Sequence, residues 1–138
     1  MAPGDLAGDV ARAHIYSGLL ASGFAQIGAR VALEQPLEDL AAANTEWERR
    51  RDETMRQLEG LPVVAAAGGW SLLLDIAALG FDCVDASNRL LDQKVAATPM
   101  RGWGGPVADR HVRFVFSNEP VDRLVLMGER VRRALAIR

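Results

Sequence analysis

The chain has 138 residues, of which 49% are hydrophobic and 25% charged, and its net charge is −2. That is the composition of one ordinary globular domain, too apolar for disorder and long enough to bury a core without disulfides or metals. A near-neutral charge and a pI of about 5.7 offer no electrostatic grip on nucleic acid.

Among the basic residues only Lys94 is lysine, so arginine, which cannot serve as an amine nucleophile, carries nearly all the positive charge. Cys83 is the only cysteine, which rules out an internal disulfide and fits a reducing cytoplasm. Met1-Ala2-Pro3-Gly4-Asp5 shows no basic stretch followed by an apolar run, and runs such as Leu72-Leu73-Leu74 are too short to span a bilayer. The expectation is a soluble cytoplasmic protein with neither nucleic acid nor membrane as partner.

Residues 6 to 16 predict a helix with Leu6, Val10 and Ala13 on one face, broken at Tyr16-Ser17-Gly18. Ser22 to Leu33 predicts a second, whose small residues Ala25, Gly28, Ala29 and Ala32 suit close packing on another helix. Gln35-Pro36 ends it, because the residue before proline disfavours helix. A long helix follows, from about Leu37 to Gly60-Leu61-Pro62, with Leu40, Ala43, Trp47, Met55 and Leu58 as its apolar stripe. Its other face carries Glu46, Arg49, Arg50, Asp52 and Glu53, with Glu46–Arg50 and Arg49–Glu53 as i,i+4 pairs. Arg49-Arg50-Arg51 reads more readily as part of this solvated face than as an anion patch.

After Pro62 the pattern turns to strands. Val63 to Ala66 predicts a short strand, Gly68-Gly69 a turn, and Trp70 to Asp75 a buried strand. Phe81 to Asp85 leads into a helix from about Ala86 to Asp92, with Ser87 or Asp85 as its cap. Val95 to Thr98 predicts a short strand and Met100 to Asp109 a glycine-rich loop. His111 to Phe116 predicts a strand with Val112, Phe114 and Phe116 on one face and His111, Arg113 and Val115 on the other. The last helix begins near Asn118-Glu119-Pro120, buries Val121, Leu124, Gly128, Val131 and Leu135, and sets Arg130, Arg132, Arg133 and Arg138 at its negative pole. The fold class expected is α/β of the α+β type: amino-terminal helices, then a small sheet of three to four strands packed by helices.

Common catalytic signatures are missing. His14, Cys83 and His111 lack metal-ligand spacing, and Gly102-Trp103-Gly104-Gly105 completes no dinucleotide fingerprint. That loop could cradle an anion, though a plain connection is the commoner case. Arg113 stands inside a strand, where its planar fork would match a carboxylate if its face were enclosed; a surface arginine is otherwise the usual reading. Trp70 and Trp103 could wall an aromatic pocket, with core packing the more frequent role.

The order of these segments resembles the small domain of class I/II, fold-type I, pyridoxal-phosphate-dependent aminotransferases. The resemblance rests on Leu61-Pro62 through Asp75 with Gly68-Gly69-Trp70, the pair Leu90-Leu91, Val95 to Met100, the V-R-F-x-F-S stretch Val112 to Ser117, and the closing helix. Gly23-Phe24-Ala25-Gln26 and Arg50-Arg51-Asp52 extend it towards the amino terminus. It implies that residues 37–138 form the family's carboxy-terminal small domain. It also implies that residues 1–36 form a helical segment joining to an absent large domain.

The resemblance further implies that Arg113 binds the carboxylate of an amino acid or 2-oxo acid, with Gly69 and Trp70 near the same pocket. The family's cofactor is pyridoxal phosphate, tethered to a lysine in an S-x-x-K segment that this chain does not contain. Lys94 does not correspond to it, so the chain alone is expected to be incomplete as an enzyme. A large-domain partner chain or a homodimer would have to complete it. The alternatives are a stand-alone carboxylate-binding or interaction module that keeps the small-domain fold, and a remnant without function.

Overall fold

The computed structural model describes residues 3–17, 22–36 and 38–137. The expectations placed on Met1, Ala2, Gly18, Leu37 and Arg138 lie outside the described residues. The chain divides into two compact units, residues 1–39 and 40–138.

In the first unit, α1 spans Ala7–Ser17 and α2 spans Gly23–Glu34. Gln35 leaves α2 in an extended conformation (ψ 153°), as the following proline requires. No described residue of either helix is buried, and Val10, Ile15, Phe24, Ile27 and Leu33 are all exposed. The close packing expected at Gly28 is not found: a Cβ there would meet nothing within 4 Å.

The second unit is built on one antiparallel sheet in the order β1-β2-β4-β3, formed by Val63–Val64, Ser71–Asp75, Thr98–Pro99 and His111–Val115, numbered β1 to β4 in chain order. The central pair β2–β4 is in register from Ser71 opposite Val115 to Asp75 opposite His111. Strand alternation then sends Leu72, Leu74, Val112 and Phe114 to one face, where each is at most 3% exposed. Leu73, Arg113 and Val115 fall on the other face and are half-buried. Both β1 and β3 are shorter than the sequence suggests, and Val95 and Ala97 instead bury their side chains as the chain approaches β3.

The covered face packs against α4 (Cys83–Asp92), through Cys83, Ala86 and Leu90, and against α7 (Met127–Ala134), through Val131 and, just beyond it, Leu135. α4 starts earlier than its sequence predicts. Its cap is Asp82, whose carboxylate accepts from the backbone amides of Val84 (2.9 Å) and Asp85 (3.2 Å). Ser87, one of the expected caps, instead donates to the Ala97 carbonyl at 2.6 Å. The helix ends in a left-handed residue, Lys94 (φ 64°), with Val95 N–H bonded to the Leu90 carbonyl and Lys94 N–H to that of Leu91.

The long helix α3 (Glu38–Gln57) buries only the end of its expected stripe: Leu58 is 1% exposed and Met55 packs on the core, but Leu40 is 56% and Trp47 39% exposed. The buried row is Thr54 and Leu58, with Glu46 and Arg50 half-buried on the same i,i+4 line. A polar row can be buried because its groups are satisfied. Thr54 donates to the Arg50 carbonyl at 2.8 Å, and Arg50 pairs with Glu46 at 2.8 Å and donates to the Ser117 carbonyl. Arg50 is therefore not part of a wholly solvated face. Arg49 pairs with Glu46 (2.9 Å) rather than Glu53, and Glu53 takes Arg56 (2.7 Å).

The predicted closing helix is broken into α6 (Val121–Leu124) and α7, so that Leu124 and Met127 can both turn inward. Pro120 occupies the N-cap position of α6, and no side chain caps it. Residues of the glycine-rich loop wind into a single turn, α5 (Gly105–Ala108).

Gly128 fixes where α7 meets the end of α3. A Cβ at this position would lie 2.3 Å from the Gln57 carbonyl oxygen, and the glycine amide donates to Gln57 Oε1 at 3.0 Å. Arg132 closes the same contact by donating to the carbonyls of Gln57 (2.9 Å) and Glu59 (2.7 Å).

Gly128→Ala is expected to destabilise the chain by about 1–3 kcal/mol, read by denaturant unfolding, because the helix must move off a backbone oxygen. Asp82 has its acidity raised, first by the Asp85 and Val84 amides and then by Arg101, so its folded-state pKa lies below the usual carboxylate value. Asp75 is shifted the same way, chiefly by Arg110 at 2.6 Å. A depressed carboxylate contributes stability above its unfolded pKa and loses it as pH falls through the folded one. Thermal stability should therefore decline below about pH 4, and Asp82→Ala should both lower the melting temperature at neutral pH and flatten that decline.

Candidate functional site

The open face of the sheet centres on Arg113. Leu73 of β2 lies opposite it on one flank and Thr98 of β3 on the other. Two tryptophans converge on its guanidinium. Trp70 comes from the turn before β2, with its ring centroid 4.9 Å from the guanidinium carbon. Trp103 comes from the loop after β3, with its centroid at 4.7 Å. β2 and β3 flank β4 on opposite sides, and the segment next to each brings one ring to the guanidinium.

Neither tryptophan is core. Trp70 is 46% and Trp103 61% exposed, so neither takes the packing role favoured by frequency. Gly69 takes a left-handed turn (φ 80°) immediately before Trp70, which a residue with a side chain adopts only under strain. Gly102 (φ 81°) does the same just before Trp103, and Trp103 N–H closes the turn on the Met100 carbonyl. The glycines that flanked both tryptophans in the sequence thus set the turns that deliver the rings.

Arg113 has no carboxylate partner among the described residues, whereas Arg50, Arg89, Arg101 and Arg110 each have one. Its Nε is buried without any hydrogen-bond partner. A buried, unpaired N–H on a permanent cation is costly, and the natural acceptor for this fork is a planar anion. A cavity of about 930 Å³ opens beside β4, bordered by Arg113, Thr98, Lys94, Leu91 and Arg130.

His111, at the far end of β4, serves the fold, with its Nδ1 2.8 Å from the Val107 carbonyl. Cys83 is buried in the core. No group of three or more metal-ligating side chains occurs among the described residues, and no helix there is long and apolar enough to cross a membrane. The pairing of Trp103 with Arg113 could not be read from spacing, because the two meet only through the β3–β4 register; the glycine before each tryptophan was the available signal.

No protein-family model matches the chain. The arginine–pyruvate transaminase AruH of Pseudomonas aeruginosa is 33% identical over 103 residues, covering 71% of this chain and 26% of the transaminase. Among solved structures, the aromatic aminotransferase of Pyrococcus horikoshii superposes with a TM-score of 0.59 at 27% identity, covering 67% of this chain and 25% of its own. The aspartate aminotransferase of Thermus thermophilus with maleate gives 0.57 at 30% identity, covering 65% and 23%. The chain spans about a quarter of the length of each. By sequence and by fold, it belongs to the pyridoxal-phosphate-dependent class I/II aminotransferases.

Proposed function

We propose that the chain is the carboxy-terminal small-domain part of an enzyme that moves an amino group between an amino acid and a 2-oxo acid, and that Arg113 receives the substrate carboxylate. The observation that carries this reading is the half-buried guanidinium with an orphaned Nε and no ion-paired carboxylate among the described residues. The relatives support it: one is named for arginine and pyruvate, and another was solved with maleate, so each handles a carboxylate. Here Arg113 binds and orients the carboxylate. Trp70 walls the guanidinium on the β2 flank and Trp103 on the β3 flank, and Gly69 sets the turn that places Trp70.

In this family pyridoxal phosphate supplies the electron sink. The described residues do not fit its anchor. Lys94 is the only lysine, and it is exposed at the left-handed end of α4, a position set by helix capping. In our reading the anchoring lysine belongs to residues outside the matched quarter, contributed by a longer protein, a large-domain partner chain or a second copy. The exposed apolar residues of α1 and α2 agree with a first unit that is covered in the complete assembly.

Calorimetry of the 138-residue chain with maleate and with pyruvate tests the site. Arg113→Ala should weaken binding at least about tenfold, while Arg49→Ala, on an exposed ion pair, should leave it unchanged. Equal binding by the wild type and Arg113→Ala would remove the carboxylate role. The chain mixed with pyridoxal phosphate and an amino donor should form no oxo acid; measurable turnover would overturn the assignment of the anchor to residues elsewhere.

A further inference from the structure

We infer that Trp70 and Trp103 are positioning residues that act through Arg113: together they hold its guanidinium in one plane, so that the site selects a flat carboxylate approaching the edge of the fork over a tetrahedral oxyanion. This rests on the carboxylate reading of Arg113 given above.

A strand arginine has a long, freely rotating side chain, and a fork that must meet a ligand bidentately loses affinity if it swings. Charged neighbours usually fix such a fork, but Arg113 has no carboxylate partner among the described residues. The indoles provide the fixing instead, with the guanidinium carbon 4.9 Å from one ring centroid and 4.7 Å from the other. They attract the cation through their π faces and satisfy none of its N–H groups. The terminal nitrogens are left for the ligand along the guanidinium plane, while Nε lies buried without an acceptor. A carboxylate continues that plane, whereas the oxygens of a phosphate project out of it.

The arrangement also makes the site report on itself. The cation lies against two of the three tryptophans, the third being Trp47 on α3, so neutralising it with a bound anion changes the field felt by both indoles.

The experiment uses the full chain with maleate as the flat probe and inorganic phosphate as the tetrahedral one. Wild type should bind maleate at least about tenfold more tightly than phosphate. Trp103→Leu, which keeps apolar bulk and removes the π face, should weaken maleate binding about two- to fivefold, and Trp103→Phe should restore most of it; the Trp70 pair should behave alike. In Trp47→Phe, emission should change with maleate and saturate at the calorimetric Kd. If the leucine variants bind like wild type while Arg113→Ala does not bind, the positioning role is wrong and the carboxylate site stands. If phosphate binds as well as maleate, the selection of flat anions is wrong. If maleate fails to bind wild type, or binds Arg113→Ala equally, the underlying carboxylate reading falls and this inference falls with it.

Discussion

The five-residue pairing of β2 with β4 is the constraint on which everything else in the second unit depends. A strand has two faces, and the register decides which residues share one. With Leu72 opposite Phe114 and Leu74 opposite Val112, the four largest contributors from these strands reach the helices. The same register sets Arg113 opposite Leu73 on the uncovered side. A slip of one residue would drive a guanidinium into the core and turn Phe114 outward, so core packing itself holds the arginine on the other face of the sheet.

Much of this was legible in the sequence because one local rule was enough. The alternation of Val112, Phe114 and Phe116 with His111, Arg113 and Val115 predicted β4 and its faces, and Gln35-Pro36 predicted the end of α2. Illegible parts arose where side chains answer to distant backbone. The apolar positions of α3 suggested Leu40 and Trp47 as buried, but the row that turns inward is set by Arg50 reaching Ser117 and by Gln57 meeting Gly128, contacts more than 60 positions apart in sequence. α4 begins at Asp82 because Asp82 has two free amides to accept from, which outcompetes the later candidates Asp85 and Ser87. The tryptophans looked like core residues by frequency alone, and only the register of β3 shows them converging on one cation.

The site and the family membership are mutually consistent but rest on different observations. Membership follows from matched sequence and superposed backbone over about two thirds of the chain. The proposed carboxylate site is argued from an unpaired N–H and two aromatic rings, neither of which depends on any relative. The chain's chemistry is also shaped by its side-chain inventory. With one lysine, spent on ending a helix, its cations are delocalised and permanently charged, suited to holding anions and unsuited to attacking carbonyls.

The margins of the sheet have a consequence for how the molecule behaves in a crowd. Both outer strands are only two residues long, and Pro99 in β3 has no N–H to offer a neighbour. Long, flat borders invite a foreign strand to add on; these give it two rungs on either side and then stop. Whatever encounters the chain makes with other chains are steered away from sheet extension and towards its side-chain surfaces, so fibrous growth through this sheet is discouraged by its construction.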